Sequence, residues 1–90
     1  MDPRLDPYLP QAGTVTVFTT NWCGFCRRLK FQLDRDGVSY TEVDIDEDPA
    51  AGDVVAAING GNRTVPTVVF ADGSTATNPD RREVSDRLDG

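Results

Sequence analysis

The sequence predicts one α/β domain: a four-stranded mixed sheet with helices on both faces, in the order β-α-β-α-β-β-α. Three observations carry that expectation. Stretches with a two-residue apolar rhythm alternate with stretches of helical spacing. Proline and glycine fall at the joints between them. The 90 residues, 38% hydrophobic and 27% charged, suffice for one core and are too few for two.

Thr14–Thr19 (TVTVFT) is rich in β-branched and aromatic residues and reads as the first strand. Helical spacing runs from Gly24 to about Asp36. Cys26, Leu29 and Leu33 lie at i, i+3 and i+7, and Phe25 pairs with Leu29 at i, i+4. Gly37 is a natural residue just past the helix end. Val38–Ile45 (VSYTEVDI) alternates apolar with polar and reads as the second strand. Asp48 followed by Pro49 supplies a cap and a proline at the first helical position. That helix buries Val54, Val55 and Ile58 and stops at Gly60–Gly61. Val65–Ala71 reads as a third strand, Asp72–Gly73 as a hairpin turn and Ser74–Ala76 as a short return strand. Asn78–Pro79 repeats the cap-plus-proline signal and opens a last helix with Val84 and Leu88 on its inner stripe. A right-handed crossover makes the first two strands parallel, and the hairpin adds two antiparallel ones. Ahead of all this, Met1–Gly13 holds Pro3, Pro7 and Pro10 among polar residues and reads as a flexible tail, leaving 14–90 as the folded domain.

Charge and hydropathy narrow the function classes. A net charge of −6 argues against nucleic acid, which requires a basic surface. No stretch approaches the ~18 apolar residues of a membrane helix. No apolar core of a secretory signal opens the chain, so a reducing cytoplasm is the expected compartment. Asp44, Asp46, Glu47, Asp48 and Asp53 form an acidic block that reads as a solvated face.

The chemistry lies in Cys23-Gly24-Phe25-Cys26, the sole cysteine pair, placed where a strand ends and a helix begins. A zinc site needs four ligands, and the chain has no histidine and no third cysteine, so no metal is expected. A disulfide across so short a loop constrains the unfolded chain by less than the ~3 kcal/mol of a 15-residue loop, and a reducing compartment would open it. Catalytic redox chemistry is the remaining reading. The first cysteine of such a motif faces free backbone N–H groups at the positive end of a helix, which favour the thiolate. Cys26, one turn further on the apolar side, is less accessible. Cys23 is therefore expected to attack, and Cys26 to resolve the resulting mixed disulfide. Trp22 either screens the sulfur and shapes a docking surface or is a half-buried aromatic. Thr64-Val65-Pro66 is the second landmark. A proline opening an apolar strand is tolerated at its first residue. Were its peptide bond cis, the Val65 N–H and C=O would face the site and could pair with an extended substrate.

Trp22–Cys26 (WCGFC), Arg63–Pro66 (RTVP) and the strand–helix order make the chain resemble glutaredoxins, the minimal form of the thioredoxin fold, from Thr14 to about Leu88. It is most similar to the mycoredoxins, the actinobacterial members, in TTNWCGFC, Asn59–Pro66 (NGGNRTVP) and Phe70–Pro79 (FADGSTATNP). Thioredoxins proper place proline where Phe25 stands and a buried aspartate where Val17 stands. Glutathione-using glutaredoxins carry Lys or Arg where this chain has Thr20, and Gly-Gly near Ala76–Thr77; those features bind the carboxylates of glutathione. Arg63 still matches a cation of the glutathione binders. Mycothiol has a sugar–inositol body and no carboxylate, which suits a site with hydroxyl and amide groups from Thr20, Asn21, Thr64, Thr77 and Asn78. Asn78 also reads as a helix cap.

The resemblance implies a mycothiol-dependent disulfide reductase with no tightly bound cofactor, working as a monomer. Its partners are mycothiol and mycothiolated proteins and, indirectly, mycothiol disulfide reductase and NADPH. Cys23 and Cys26 are the catalytic pair, with Trp22, Phe25, Arg63, Thr64, Val65, Pro66, Thr77 and Asn78 as substrate contacts. Two alternatives stay open: a dithiol protein reductase fed by thioredoxin reductase, and a carrier that bridges a [2Fe–2S] cluster between two protomers through Cys23 and small thiols.

Overall fold

The computed structural model describes residues 3–89. The chain runs β1 (Val15–Thr19), α1 (Gly24–Arg35), β2 (Tyr40–Asp44), α2 (Pro49–Ile58), β3 (Thr67–Phe70), β4 (Thr75–Thr77) and α3 (Arg81–Asp89), preceded by a 3₁₀ turn at Pro3–Tyr8. The strands lie in the order β2-β1-β3-β4. β1 pairs in parallel with β2 (Val15 with Tyr40 through Thr19 with Asp44) and antiparallel with β3 (Val15 with Phe70, Phe18 with Thr67). β4 closes the other edge, Thr67 opposite Thr77. The mixed sheet and the element order are those the sequence predicts.

Alternation along the strands splits the core in two. Val15, Val17, Val68 and Phe70 face Leu29 and Leu33 of α1 and Val84 of α3, with Leu88 against the margin. Phe18 and Val69 face the opposite side, where Ile45 and the α2 residues Ala51, Val54 and Val55 cover them. Caps fix where each helix begins and ends. After α1, Gly37 takes φ 73°, with Gly37 N–H bonded to Asp34 O and Val38 N–H to Leu33 O, so the chain turns out of the helix as a glycine there allows. Asp48 Oδ1 accepts the Ala51 N–H at 3.3 Å ahead of α2, as expected of that cap.

Four expectations shift. The second strand begins at Tyr40, because the Val38 N–H is bonded back to Leu33 O as the chain leaves α1 and Ser39 meets β1 only through its carbonyl, which accepts the Val15 N–H at 3.4 Å. The third starts only at Thr67, after the Val65–Pro66 bend. The return strand is Thr75–Thr77, one residue late, because Asp72 Oδ1 accepts both the N–H and the hydroxyl of Ser74 and widens the turn. The last helix is capped by Asp80, whose Oδ1 accepts the Glu83 N–H at 2.8 Å; Asn78 instead takes a left-handed φ of 48° and caps nothing.

The segment expected as a flexible tail is packed on the domain from Pro3 onward, while Met1 and Asp2 lie outside the described residues. Leu5 is 4% exposed, the Tyr8 ring meets Phe18 edge-on at 5.2 Å, and the Thr16 hydroxyl donates to Tyr8 O at 2.6 Å. Leu5, Tyr8 and Leu9 share one side of the turn, and that apolar spacing outweighs the prolines between them. Among the described residues, no helix is long and apolar enough to cross a membrane.

Candidate active site

Cys23 stands at the N-cap of α1 in extended conformation, so its sulfur lies at the open end of the helix. Its Sγ accepts the Cys26 N–H at 3.3 Å and, as a thiol, donates to the Val65 carbonyl at 3.7 Å. Both cysteines are free thiols. Cys23 is 6% exposed and Cys26 fully buried. Burial pushes the Cys26 thiol above the ordinary cysteine value. Its hydrogen bond with Cys23 pushes the same way, while donors at Thr19 and Thr20 pull against them. The two sulfurs thus differ in geometry: Cys23 lies at the rim with a donor, and Cys26 is sealed beneath it.

The second landmark closes over the first. The Val65–Pro66 bond is cis, and Val65 O is the carbonyl beside Cys23. Pro66 is buried and its carbonyl accepts the Asn78 N–H at 2.7 Å, which ties this loop to the one before α3. Thr64 O accepts the Thr67 hydroxyl at 2.7 Å. Asn59, just beyond α2, fastens the assembly: its Nδ2 donates to Val55 O and Thr67 Oγ1, and its Oδ1 accepts from Thr77 Oγ1 at 2.5 Å. The expected contacts Thr64, Val65, Pro66, Thr77 and Asn78 therefore form one connected rim.

Trp22 and Phe25 flank the cysteines as open surface, 71% and 65% exposed. Trp22 is neither half-buried nor free. Its indole N–H donates to Asp46 Oδ2 at 2.9 Å. The helical spacing that paired Phe25 with Leu29 does not bury Phe25, which projects beside the motif instead. Arg63 lies against α2: its guanidinium pairs with Asp53 at 2.8 Å and covers Gly52, where an added Cβ would stand 2.7 Å from Nη1. Thr20, expected to offer its hydroxyl to a ligand, is 1% exposed, and its Oγ1 is enclosed without a hydrogen-bond partner, so it presents no group to solvent.

The sequence reading missed Asn59, Asp46 and Asp53. Asn59 carried only the signal of a helix end. The two aspartates lay in the block read as a solvated face, and that block is occupied: Asp44 Oδ1 accepts the Asp46 N–H at 2.8 Å, and Asp48, besides capping α2, accepts the Tyr8 hydroxyl at 3.3 Å.

This fold and thiol pair define a class. The glutaredoxin family model matches residues 15–74, and the chain belongs to the glutaredoxin family of thiol oxidoreductases. Within it, the chain is 45% identical over 77 residues to Mycoredoxin 1 of Corynebacterium glutamicum, covering 86% of this chain and 95% of that one. It is 55% identical over 76 residues to a Mycobacterium tuberculosis H37Rv protein provisionally named a glutaredoxin, covering 84% and 90%. These are actinobacterial glutaredoxin-like proteins. The fold matches that of the Archaeoglobus fulgidus glutaredoxin, with a TM-score of 0.72 at 24% identity over 89% of this chain and 90% of that one.

Proposed function

We propose that this protein reduces mixed disulfides between mycothiol and proteins by a monothiol route through Cys23, in the cytoplasm. The Cys23 thiolate attacks the mycothiol sulfur of the mixed disulfide. That S–S bond breaks, and the client leaves as a thiolate that takes up a proton. A second mycothiol thiolate then attacks the mycothiol sulfur held on Cys23. Mycothiol disulfide forms, and Cys23 returns as thiolate.

The observation that carries this reading is the placement of Cys23 Sγ at the α1 N-terminus, 3.3 Å from the Cys26 N–H, with Cys26 itself sealed below. The Cys26 N–H points at this sulfur whether it acts as attacking group or as leaving group. Val65 and Pro66 hold the loop along which the disulfide lies, and Trp22 and Phe25 wall it. Cys26 provides an internal exit to a Cys23–Cys26 disulfide when no second mycothiol arrives. The likeness to Mycoredoxin 1 supports mycothiol as the small thiol. So does the composition of the rim along Val65–Pro66, where the position that carries a cation in the glutathione users is the enclosed Thr20 and Arg63 is paired with Asp53.

The test supplies a mycothiolated protein with mycothiol, mycothiol disulfide reductase and NADPH. NADPH consumption should depend on the protein and vanish in Cys23→Ser. Equal turnover with glutathione and its reductase, or with thioredoxin reductase alone, would overturn the proposal.

A further inference from the structure

A groove of about 420 Å³ runs between α1 and the start of α3, lined by Phe25, Arg28, Gln32, Pro79, Arg81 and Arg82 among others. It opens at the cysteine motif, since Phe25 belongs to it and is largely exposed there. The chain as a whole carries −6, yet this groove sets three guanidinium groups against one carboxylate, Asp80. Asp80 is turned to the helix, one oxygen accepting the Glu83 N–H. Arg81 is tied to Asp36 at 3.3 Å. Among the described residues, Arg28 and Arg82 make no ion pair and no side-chain hydrogen bond, and both are exposed. Lys30, Arg63 and Arg87, away from the groove, are each paired with a carboxylate.

We propose that this groove docks an acidic segment of the client polypeptide, next to the cysteine whose disulfide is reduced. A disulfide presented to Cys23 has two arms. With the small-thiol arm along Val65–Pro66, the polypeptide arm leaves across Phe25 and enters the groove. An exposed ring beside unpaired guanidinium groups recognises an apolar residue flanked by carboxylates. Screening over about 8 Å at physiological salt lets these arginines outweigh the acidic block across the site. The inference rests on thiol–disulfide exchange at Cys23 and is indifferent to which small thiol completes the cycle.

The experiment uses two cysteine peptides, identical except for Glu or Lys at the flanking positions, each as a mixed disulfide with 2-mercaptoethanol. In a single turnover the Cys23 thiolate attacks the mercaptoethanol sulfur, the S–S bond breaks, and the peptide leaves as a thiolate and is protonated; mass spectrometry follows its release. Each rate is divided by the rate with dithiothreitol, which removes the peptides' own reactivity. The Glu peptide should react at least ~5-fold faster than the Lys peptide at low salt, and less than ~2-fold faster in 0.5 M NaCl. The double variant Arg28→Glu/Arg82→Glu, with its fold checked by circular dichroism, should invert the ratio. A ratio near one in the starting protein, or a ratio the double variant leaves unchanged, overturns the docking surface. Bis(2-hydroxyethyl) disulfide separates the two failures. If it reacts while the peptides are not distinguished, the groove proposal alone falls; if it does not react, exchange at Cys23 falls as well.

Discussion

Cys23 and Cys26 are one helical turn apart, joined by a hydrogen bond, and live in different surroundings. Cys23 sits at the helix mouth between two exposed aromatic rings, under a carbonyl held by a hydrogen-bonded loop. Cys26 lies on the apolar stripe with Leu29 and Leu33, fully enclosed. The contrast shows how a helix end makes two identical thiols unequal: position on the cylinder leaves one at the open helix end, just under the surface, and sets the other in the core.

The largest effect should come from removing either sulfur. Cys23→Ser should lower turnover by ~10³-fold or more, since a hydroxyl without a base is a poor nucleophile. Cys26→Ser should cost less than ~5-fold on a mycothiolated substrate. A loss with Cys26→Ser that equals the loss with Cys23→Ser would erase the contrast and favour the dithiol route.

Alkylation tests the same inequality without turnover. At pH 7, iodoacetamide should label Cys23 at least ~100-fold faster than Cys26 in the folded protein, and both alike in denaturant. The raised Cys26 value also has a stability consequence. The folded chain keeps that proton to higher pH than the unfolded chain, so the contribution is whole below the unfolded value of ~8.5 and declines as pH rises through the folded one. Tyr40 acts in the same direction further up: burial, then the Asp34 carboxylate, push it to about 12. Urea midpoints measured under reducing conditions should therefore fall from pH 8 to pH 11, and Cys26→Ala should flatten the first part of the fall.

Smaller changes should touch only the Cys23 side. Asn59→Ala removes the fastening between α2, Thr67 and Thr77, and should cost ~1–2 kcal/mol in stability and raise KM several-fold. The slow alkylation of Cys26 should not change. Asp46→Ala frees the Trp22 indole at an exposed site and should cost under ~1 kcal/mol, read as altered Trp22 fluorescence with little change in rate.

How much of this was legible follows from the range of the interactions. The strand signal of Thr14–Thr19, the helix signal from Gly24, the cap at Asp48 and the exit at Gly37 are local, and each appears within a residue of where the sequence places it. The cysteine pair at a strand-to-helix joint was equally readable. What escaped depends on partners distant in sequence. Asp46 meets Trp22 and Asp53 meets Arg63 only after the crossover is made. Asn59 reaches Thr77 only once the hairpin is in place. Thr20 looked available because polarity suggests exposure, yet the end of β1 is enclosed on all sides. The cap of α3 was misassigned because Asn78 and Asp80 offer similar signals two residues apart, and the Asn78 N–H is drawn instead to Pro66.

The 3₁₀ turn at Pro3–Tyr8 makes the amino end a wall of the molecule. Its Leu5 shares a cluster with Phe18, Val55 and Val69, and Val65 packs at the margin of that same cluster. A proteolytic cut near Gly13 would thus strip cover from Phe18 and loosen the neighbours of the loop above Cys23, although the lost peptide holds no thiol. For anyone trimming or fusing this chain, the useful boundary lies ahead of Pro3, and a fragment beginning at the first strand would be a different protein at its working edge.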